Sequence, residues 1–275
     1  MTKNKTKGIV AQICLIIISI IFIFPFIWML STSLKSFTEA SSLGLQLIPK
    51  HVQWDNYVVI FQKAPFARYM LNTLFLAAVS VVGQVLTCSM VAYSLAHVEW
   101  RGKKILFPII MATMLLPYQV TLIPVYLIYN KLKLVGTFLP LIIPAFVAAP
   151  VYVFLIRQFF LTLPQSIVQA ARIDGASHFK IYSTIIVPLS KPVFTAVAVF
   201  TFLNTWSDFM GPMIYLNNPK LYTISIGLKS YIGEHYTEWN LVMAASAVAT
   251  VPIIIIYFFA QKQFIEGITM TGIKG

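Results

Sequence analysis

The sequence predicts an all-α membrane protein with six transmembrane helices, and three observations lead to that prediction. Of the 275 residues, 59% are apolar or aromatic and only 10% carry a charge. The mean hydropathy of the chain is +0.82. The apolar residues are gathered into six stretches of about 20 residues, which is the length that crosses a bilayer as a helix. A water-soluble domain would need more charged side chains to cover so much apolar surface.

The first predicted span follows Lys3, Lys5 and Lys7, as the apolar core of a signal peptide would. This span is longer than such a core and shows no small-residue cleavage pattern, so we expect it to be retained. The predicted spans, in chain order, are residues 9–30, 70–96, 105–129, 138–160, 192–211 and 240–260.

Several prolines fall in or at the edges of these spans, where neighbouring helices can satisfy the carbonyl groups that a proline leaves free. We therefore expect kinked spans. The prolines concerned are Pro25, Pro108, Pro117, Pro124, Pro144, Pro150 and Pro252.

The distribution of charge predicts the orientation of the chain. With the N-terminus in the cytoplasm, the inner segments hold twelve Lys and Arg against three acidic residues, a net charge of +9. The outer segments hold eight against five, a net charge of +3. Because cytoplasmic loops are enriched in Lys and Arg, we expect both termini of this multi-pass chain in the cytoplasm. The cations are scattered between apolar runs without a basic face, so lipid is an expected partner and nucleic acid is not.

The sequence shows no arrangement typical of a catalytic or metal site. No Cys/His cluster has the spacing of zinc ligands. The phosphate-binding pattern GxxxxGK[ST] is also missing. We therefore expect no enzyme activity, metal or bound cofactor in this chain, and any ATP hydrolysis has to come from another polypeptide.

The segment between spans four and five, residues 163–192, is the most informative part of the sequence. Pro164 suits a first helical turn and Gly175 a position just past a helix end, which predicts a helix over residues 165–174. This helix is about 15 Å long, too short to span a bilayer. A helix lying on lipid headgroups is one interpretation. One helical face is small and weakly apolar, which allows close approach of a partner, and it comprises Ile167, Ala170, Ala171 and Asp174.

Residues 169–177 read Gln-Ala-Ala-Arg-Ile-Asp-Gly-Ala-Ser, and Pro188-Leu-x-x-Pro192 follows. This pattern resembles the EAA loop in permease subunits of ATP-binding-cassette (ABC) importers. The carbohydrate-uptake branch, which includes the maltose permease subunit, is resembled by further segments along nearly the whole chain. These are Asn72-Thr-Leu, Ala92-Tyr-Ser-Leu-Ala, Leu116-Pro-Tyr-Gln-Val-Thr-Leu-Ile-Pro-Val-Tyr, Trp206-Ser-Asp-Phe and residues 263–275.

The resemblance implies an importer in which this chain pairs with a homologous permease, two cytoplasmic ATPase subunits and an extracytoplasmic solute-binding protein. In that family the loop helix docks into a cleft on an ATPase, whose ATP-driven closure rocks the permease pair. The usual Glu of the motif is Gln169 here, which replaces a charge-assisted contact by a neutral one. The residues implied to dock are Gln169, Ala170, Ala171, Arg172, Asp174 and Gly175.

The resemblance also implies a domain organisation and a location in the bacterial plasma membrane. Residues 1–69 would form an N-terminal transmembrane helix and an outer loop. Residues 70–262 would form an ABC transmembrane type-1 permease domain, and residues 263–275 a cytoplasmic tail.

The implied cargo is a sugar or oligosaccharide, whose pathway needs hydrogen-bonding and aromatic side chains at membrane depth. Each candidate has an alternative role as an interhelical hydrogen bond or an interfacial anchor. Alternative functions are an ABC permease for a solute such as glycerol phosphate, and a stand-alone secondary transporter. The sequence has no clear mid-membrane acid of the kind that a secondary transporter uses. Pathway candidates are Tyr118, Gln119, Asn204, Trp206 and Asp208, with Asn72 and Gln84 as further candidates.

Overall fold

The computed structural model describes residues 2–42, 44, 46–233 and 236–271. Within these residues the secondary structure is helical, apart from one isolated antiparallel bridge between Ile232 and Thr237. The described helices, in order, are α1 (Thr2–Ser33), α2 (Phe37–Ala40), α3 (Asn56–Lys63), α4 (Phe66–His97), α5 (Lys103–Ala112), α6 (Tyr118–Lys131), α7 (Leu139–Ile142), α8 (Pro150–Thr162), α9 (Gln165–Ile173), α10 (His178–Ile181), α11 (Val187–Leu189), α12 (Lys191–Ser207), α13 (Met210–Tyr215), α14 (Ile224–Lys229) and α15 (Trp239–Thr271). Short 3₁₀ segments cover Thr113–Leu115, Ile143–Phe146 and Pro219–Leu221, and a π-helical segment covers Tyr182–Ile186.

Between four and six segments of the described chain are long and apolar enough to cross a membrane. Two bent pairs of helices qualify if each pair is one span: Lys103–Leu115 with Tyr118–Lys131, bent by 97°, and His178–Leu189 with Lys191–Ser207, bent by 79°. The all-α, multi-span character predicted from composition is confirmed. The four single spans are Ala11–Ser33, Phe66–His97, Leu139–Thr162 and Trp239–Gln261.

Both sharp bends occur next to prolines. Leu116 is extended (φ −80°, ψ 113°) because the following ring of Pro117 disfavours helical backbone in the preceding residue. Ser190 separates α11 from α12, and Pro192 in the first turn of α12 has no N–H to continue the helical ladder from α11. Not every proline in a span produces a break. The helices around Pro25, Pro108, Pro124 and Pro252 remain continuous.

The chain divides into two compact units, residues 1–67 with 227–251 and residues 68–226 with 252–275. In the first unit, the buried Asn56 donates its side-chain amide to the carbonyl oxygens of Ser33 (2.8 Å) and Lys35 (2.9 Å). Its own amide oxygen accepts a hydrogen bond from Asn240 at 3.0 Å. Asn56 thereby ties the end of α1, the start of α3 and the start of α15 together.

The core of the second unit is built from segments that are far apart in the sequence. Within this unit, α4 and the 3₁₀ segment Ile143–Phe146 pack closely at Gly83. A Cβ added to Gly83 would lie 2.8 Å from the carbonyl oxygen of Ala145, so the close approach needs glycine there. The buried core includes Cys88, Ala92 and Leu95 of α4, Ile156 and Phe160 of α8, Val168 and Ala171 of α9, Ile181, Tyr182 and Ile186 after it, and Val193 and Val197 of α12.

Some sequence predictions concern residues outside the described ranges. Glu234 and Lys274 were counted in the charge balance, and residues 272–275 belong to the predicted tail. The predicted domain boundaries at 69 and 262 stay predictions.

Candidate functional site

The loop helix α9 is one residue shorter than predicted and is closed by backbone geometry at both ends. Pro164 precedes it in an extended conformation, and Gly175 follows with φ +78°. The N–H of Gly175 donates to the carbonyl of Arg172 and that of Ala176 to Ala171, both at 3.0 Å. These two bonds form a Schellman motif, which needs a left-handed residue at the position of Gly175.

One side of α9 is packed against the core and the other is exposed. Val168 is 5% exposed and Ala171 is 8% exposed, and both belong to the core cluster beside Phe160 and Ile181. Ala171, predicted to lie on the docking face, therefore points inward and anchors the helix, because its small side chain lets the core approach. Ala170 is exposed, as are Ile167, Ile173, Asp174 and Phe179.

These exposed side chains make an open surface that is partly apolar. Ile173 is 87% exposed and Phe179 is 68% exposed. Large apolar side chains that stay accessible beside a well-packed core are typical of a surface that contacts a partner or a membrane. We call Ile167, Ala170, Ile173, Asp174 and Phe179 the loop surface.

A polar chain connects α9 to α4. Arg172 donates from Nη2 to Nε2 of His178 at 2.7 Å, and Nδ1 of His178 lies 3.5 Å from the hydroxyl of Tyr93. Because a guanidinium can only donate, Nε2 of His178 is the acceptor of this hydrogen bond. The hydrogen bond to His178 therefore fixes the orientation of the Arg172 side chain.

Gln169 faces a cleft of about 170 Å³ beside the loop surface. The cleft is also lined by Glu99, Lys103 and Arg172, so the amide that replaces the usual Glu lies near two cations and one acid. Lys103 is engaged there, since its ammonium donates to the carbonyls of Ala96 (3.1 Å) and Val98 (3.4 Å) at the end of α4.

The second candidate site is a cavity of about 720 Å³ within the second unit, which we call the cavity. Of the predicted pathway residues, it brings together Tyr118, Asn204 and Asp208. Gln119 is exposed outside its lining. Trp206 is 3% exposed and stacks on Phe202 with ring centroids 5.2 Å apart, so it is a core residue because of this packing.

Two of the three gathered side chains are held by hydrogen bonds. Asn204 donates its amide to the hydroxyl of Tyr152 at 3.0 Å. The backbone N–H of Gly211 donates to Oδ1 of Asp208 at 3.1 Å, which seats the carboxylate on the first turn of α13.

Sequence reasoning missed the tyrosines opposite these groups. Tyr129 and Tyr215 line the cavity, and Tyr215 stacks on Tyr126 at a centroid distance of 6.1 Å. Burial raises the pKa of Tyr215 above its ordinary value of 10.0, and the neighbouring Tyr118 and Tyr129 add to the rise. Its hydroxyl therefore stays protonated. The pair Tyr126 and Tyr129, spaced by three on α6, was the available sequence signal.

The two further candidates make hydrogen bonds to backbone groups that are distant in the sequence. Asn72 donates to the carbonyls of Lys220 (3.0 Å) and Tyr222 (2.9 Å). Gln84 is buried, donates to the carbonyl of Pro144 and accepts from the N–H of Ala149, both at 3.2 Å. Within the described residues, no group of three or more His, Cys, Asp or Glu side chains is placed to hold a metal ion.

Comparison with known proteins decides the family. Residues 86–269 match the family described as "Binding-protein-dependent transport system inner membrane component". The chain belongs to this family. It is therefore a multi-pass membrane component of a binding-protein-dependent transport system, which confirms the predicted permease subunit and not the stand-alone secondary transporter.

Named relatives extend the similarity over the whole chain. The arabinooligosaccharides transport system permease protein AraQ of Bacillus subtilis is 34% identical over 94% of this chain and 92% of its own length. The trehalose/maltose transport system permease protein MalG of Thermococcus litoralis is 30% identical over 100% of both chains. These relatives confirm the predicted resemblance to the carbohydrate-uptake branch.

A solved structure supports the fold of this family member. A chain from the crystal structure of a bacterial ABC transporter involved in the import of the acidic polysaccharide alginate superposes with a TM-score of 0.83. The match covers 96% of this chain and 98% of that chain at 24% sequence identity.

Proposed function

We propose that this chain is a permease subunit that forms part of the membrane pathway for a neutral sugar or oligosaccharide in an ABC importer. The similarity to the arabinooligosaccharide permease over 94% of the chain carries this proposal. The chemistry of the cavity supports it. Tyrosine rings suit the apolar faces of a sugar ring, and Asn204 and Asp208 suit its hydroxyl groups.

The proposed topology has six spans, with each bent pair counted as one span. Both termini lie in the cytoplasm of a bacterial cell, and residues 70–262 form the type-1 permease domain between an N-terminal helix with its outer loop and a cytoplasmic tail. The net charges of +9 and +3 on the two sides support this orientation. Reporter fusions at residues 101 and 218 test it, since a cytoplasmic reporter should be active only at 101.

The loop surface docks an ATPase subunit in this proposal. Its exposed Ile167, Ala170 and Ile173 would be covered by the partner, while Arg172, Asp174 and Gln169 supply polar contacts at the edge. Val168 and Ala171 fix α9 to a core shared with α4, α8 and α12. Movement of a docked ATPase is therefore transmitted to three spans together.

The remaining subunits follow from this assignment. ATP is bound and hydrolysed by two separate ATPases, this chain pairs with a second permease, and a solute-binding protein delivers the sugar. The chain itself contributes no ATPase site. In a purified complex, ATP hydrolysis should be lost when the ATPases are removed and should persist when cavity residues of this chain are changed.

Glycerol phosphate was the alternative cargo. The described residues that line the cavity include Asp208 and no Lys or Arg, which is unfavourable for a phosphate. The sugar is therefore preferred.

Uptake by intact cells tests the cargo. Deleting the gene for this chain should abolish accumulation of labelled arabinotriose, and supplying the chain again should restore it. Unchanged accumulation in the deletion strain would contradict an arabinooligosaccharide cargo, and the same assay with maltose and raffinose then tests other neutral saccharides.

A further inference from the structure

The cavity carries an unbalanced negative charge. Among the described residues that line it, Asp208 is the one charged side chain. The remaining polar groups include the tyrosine hydroxyls and Asn204, which are neutral. The described lining residues therefore supply no positive charge to balance the carboxylate of Asp208.

The fold holds this carboxylate in place. Oδ1 accepts the N–H of Gly211 at 3.1 Å, and a Cβ on Gly211 would lie 2.5 Å from Oδ2. Gly211 thus allows the backbone to approach the acid closely. Burial raises the pKa of Asp208 above its ordinary value, and hydrogen bonds from the backbone N–H groups of Gly211 and Met210 oppose that rise. One carboxylate oxygen is anchored, and the group keeps further lone pairs for a second donor.

A fixed carboxylate in a cavity discriminates between solutes by charge. An anion several ångströms away is repelled far more strongly than in bulk water, because protein walls screen charge poorly. A neutral saccharide meets no such repulsion and can donate its hydroxyl protons to the carboxylate. Tyr118, Tyr129 and Tyr215 line the same cavity, and tyrosine side chains suit the apolar faces and hydroxyl groups of a sugar.

We infer that Asp208 is a specificity-determining residue whose carboxylate admits uncharged saccharides to the cavity and excludes anionic ones. The inference rests on the proposed sugar permease function and adds the charge class of the substrate. It gives Asp208 a role beyond capping the first turn of α13.

Substitution of Asp208 by asparagine separates its effect on solute charge from its hydrogen bond to the first turn of α13. Asp208→Asn removes the charge and keeps an oxygen that accepts the N–H of Gly211, because Asn caps helices about as well as Asp. Asp208→Glu keeps the charge and should keep most of the wild-type selectivity. The matched control is Asp55→Asn, the same change at an exposed acid of the first unit that makes no side-chain capping bond.

The first experiment measures the potential in the cavity without any sugar. Ser207, which lines the cavity, is changed to Cys in the assembled complex, and the exposed Cys14 is changed to Ser, while Cys88 is buried. The labelling rates of a cationic trimethylammonium and an anionic sulfonate methanethiosulfonate are compared. Asp208→Asn should lower the cation-to-anion rate ratio about tenfold or more, whereas Asp55→Asn should not change it. An unchanged ratio in Asp208→Asn overturns the inference.

The second experiment measures transport with a matched pair of probes, arabinotriose and its aldonic acid. Both permease variants receive sugar from the same binding protein, so its own preference cancels when their uptake ratios are compared. Asp208→Asn should shift the neutral-to-acid ratio about tenfold toward the acid. If labelling shifts and the uptake ratio does not, the carboxylate does not set specificity and the inference is wrong. If the wild type imports neither probe, the arabinooligosaccharide cargo fails, and the same uptake ratio is measured with maltose and its aldonic acid.

Discussion

The loop surface and the cavity lie in the same compact unit and are built in opposite ways. The loop surface comes from neighbouring residues of α9, the turn after it and the start of α10, and it leaves Ile173 and Phe179 largely exposed. The cavity collects α4, α6, α12 and α13 around tyrosines and one acid. A short contiguous motif is enough for a surface that binds a large protein partner. A binding site for a small solute needs groups from several helices that surround it.

The largest expected effect comes from a charge placed on the loop surface. Ala170→Arg would bury an unpaired guanidinium against the docked ATPase, at a cost of about 3–5 kcal/mol. Sugar uptake coupled to ATP hydrolysis in the reconstituted complex should fall about 100-fold or more. Ala67→Arg is the matched control, an exposed alanine at the start of α4, and should leave uptake within about twofold. Wild-type uptake with Ala170→Arg would refute docking at this surface.

A smaller loss is expected when the turn after α9 is strained. Gly175→Ala forces a side chain into φ +78°, which costs about 1–2 kcal/mol, although a Cβ there meets no atom within 4 Å. Coupled uptake should fall about tenfold and the melting temperature of the complex should drop. Gly8→Ala in the second turn of α1, where a Cβ also meets no atom within 4 Å, is the control and should be neutral or slightly stabilising. Equal melting temperatures for both variants would show that the left-handed turn is dispensable.

Changes in the cavity should alter sugar handling and spare ATPase docking. Tyr118→Ala and Asn204→Ala each remove a contact of about 1 kcal/mol, which raises the half-saturating sugar concentration roughly fivefold. Titrating uptake against arabinotriose concentration measures this shift. Gln119→Ala, next to Tyr118 and outside the cavity lining, should behave as wild type. Should both cavity variants keep the wild-type curve and selectivity, they do not line the pathway.

The smallest expected effect is at the cleft beside α9. Gln169→Glu returns the usual acid of the motif to a position near Lys103 and Arg172, and should stabilise the loop by at most about 1 kcal/mol. Thermal unfolding of the complex at low and high salt measures it. A gain that is larger at low salt is expected, and a gain that salt does not reduce would argue against an electrostatic cause.

Much of the loop surface was predictable from the sequence because helix signals are local. Pro164 and Gly175 indicated the two ends of α9 to within one residue. Which alanine faces outward was not predictable, because Ala170 and Ala171 differ only in where the core lies. The docking role of Ala170 and of Ala171 stays a prediction.

The cavity was predictable only in part. Tyr118, Asn204 and Asp208 stood out as polar groups at membrane depth, and the fold brings them together. Gln119 and Trp206 carried the same signal and lie elsewhere, because neither hydropathy nor polarity tells which way a helix is rotated. Tyr215 was missed since its position depends on stacking against Tyr126 of another helix.

The sequence by itself determined the fold class and the position of the loop helix, because apolar length and local turn chemistry need no long-range contact. Its residue patterns also indicated the transporter family. The tertiary structure alone decided that the two sharp bends fall at Pro117 and Ser190, and not at Pro25 or Pro252. It also decided that one acid, Asp208, is left without a cation in the cavity. Such facts depend on which helices pack side by side, and packing is a property of the folded chain.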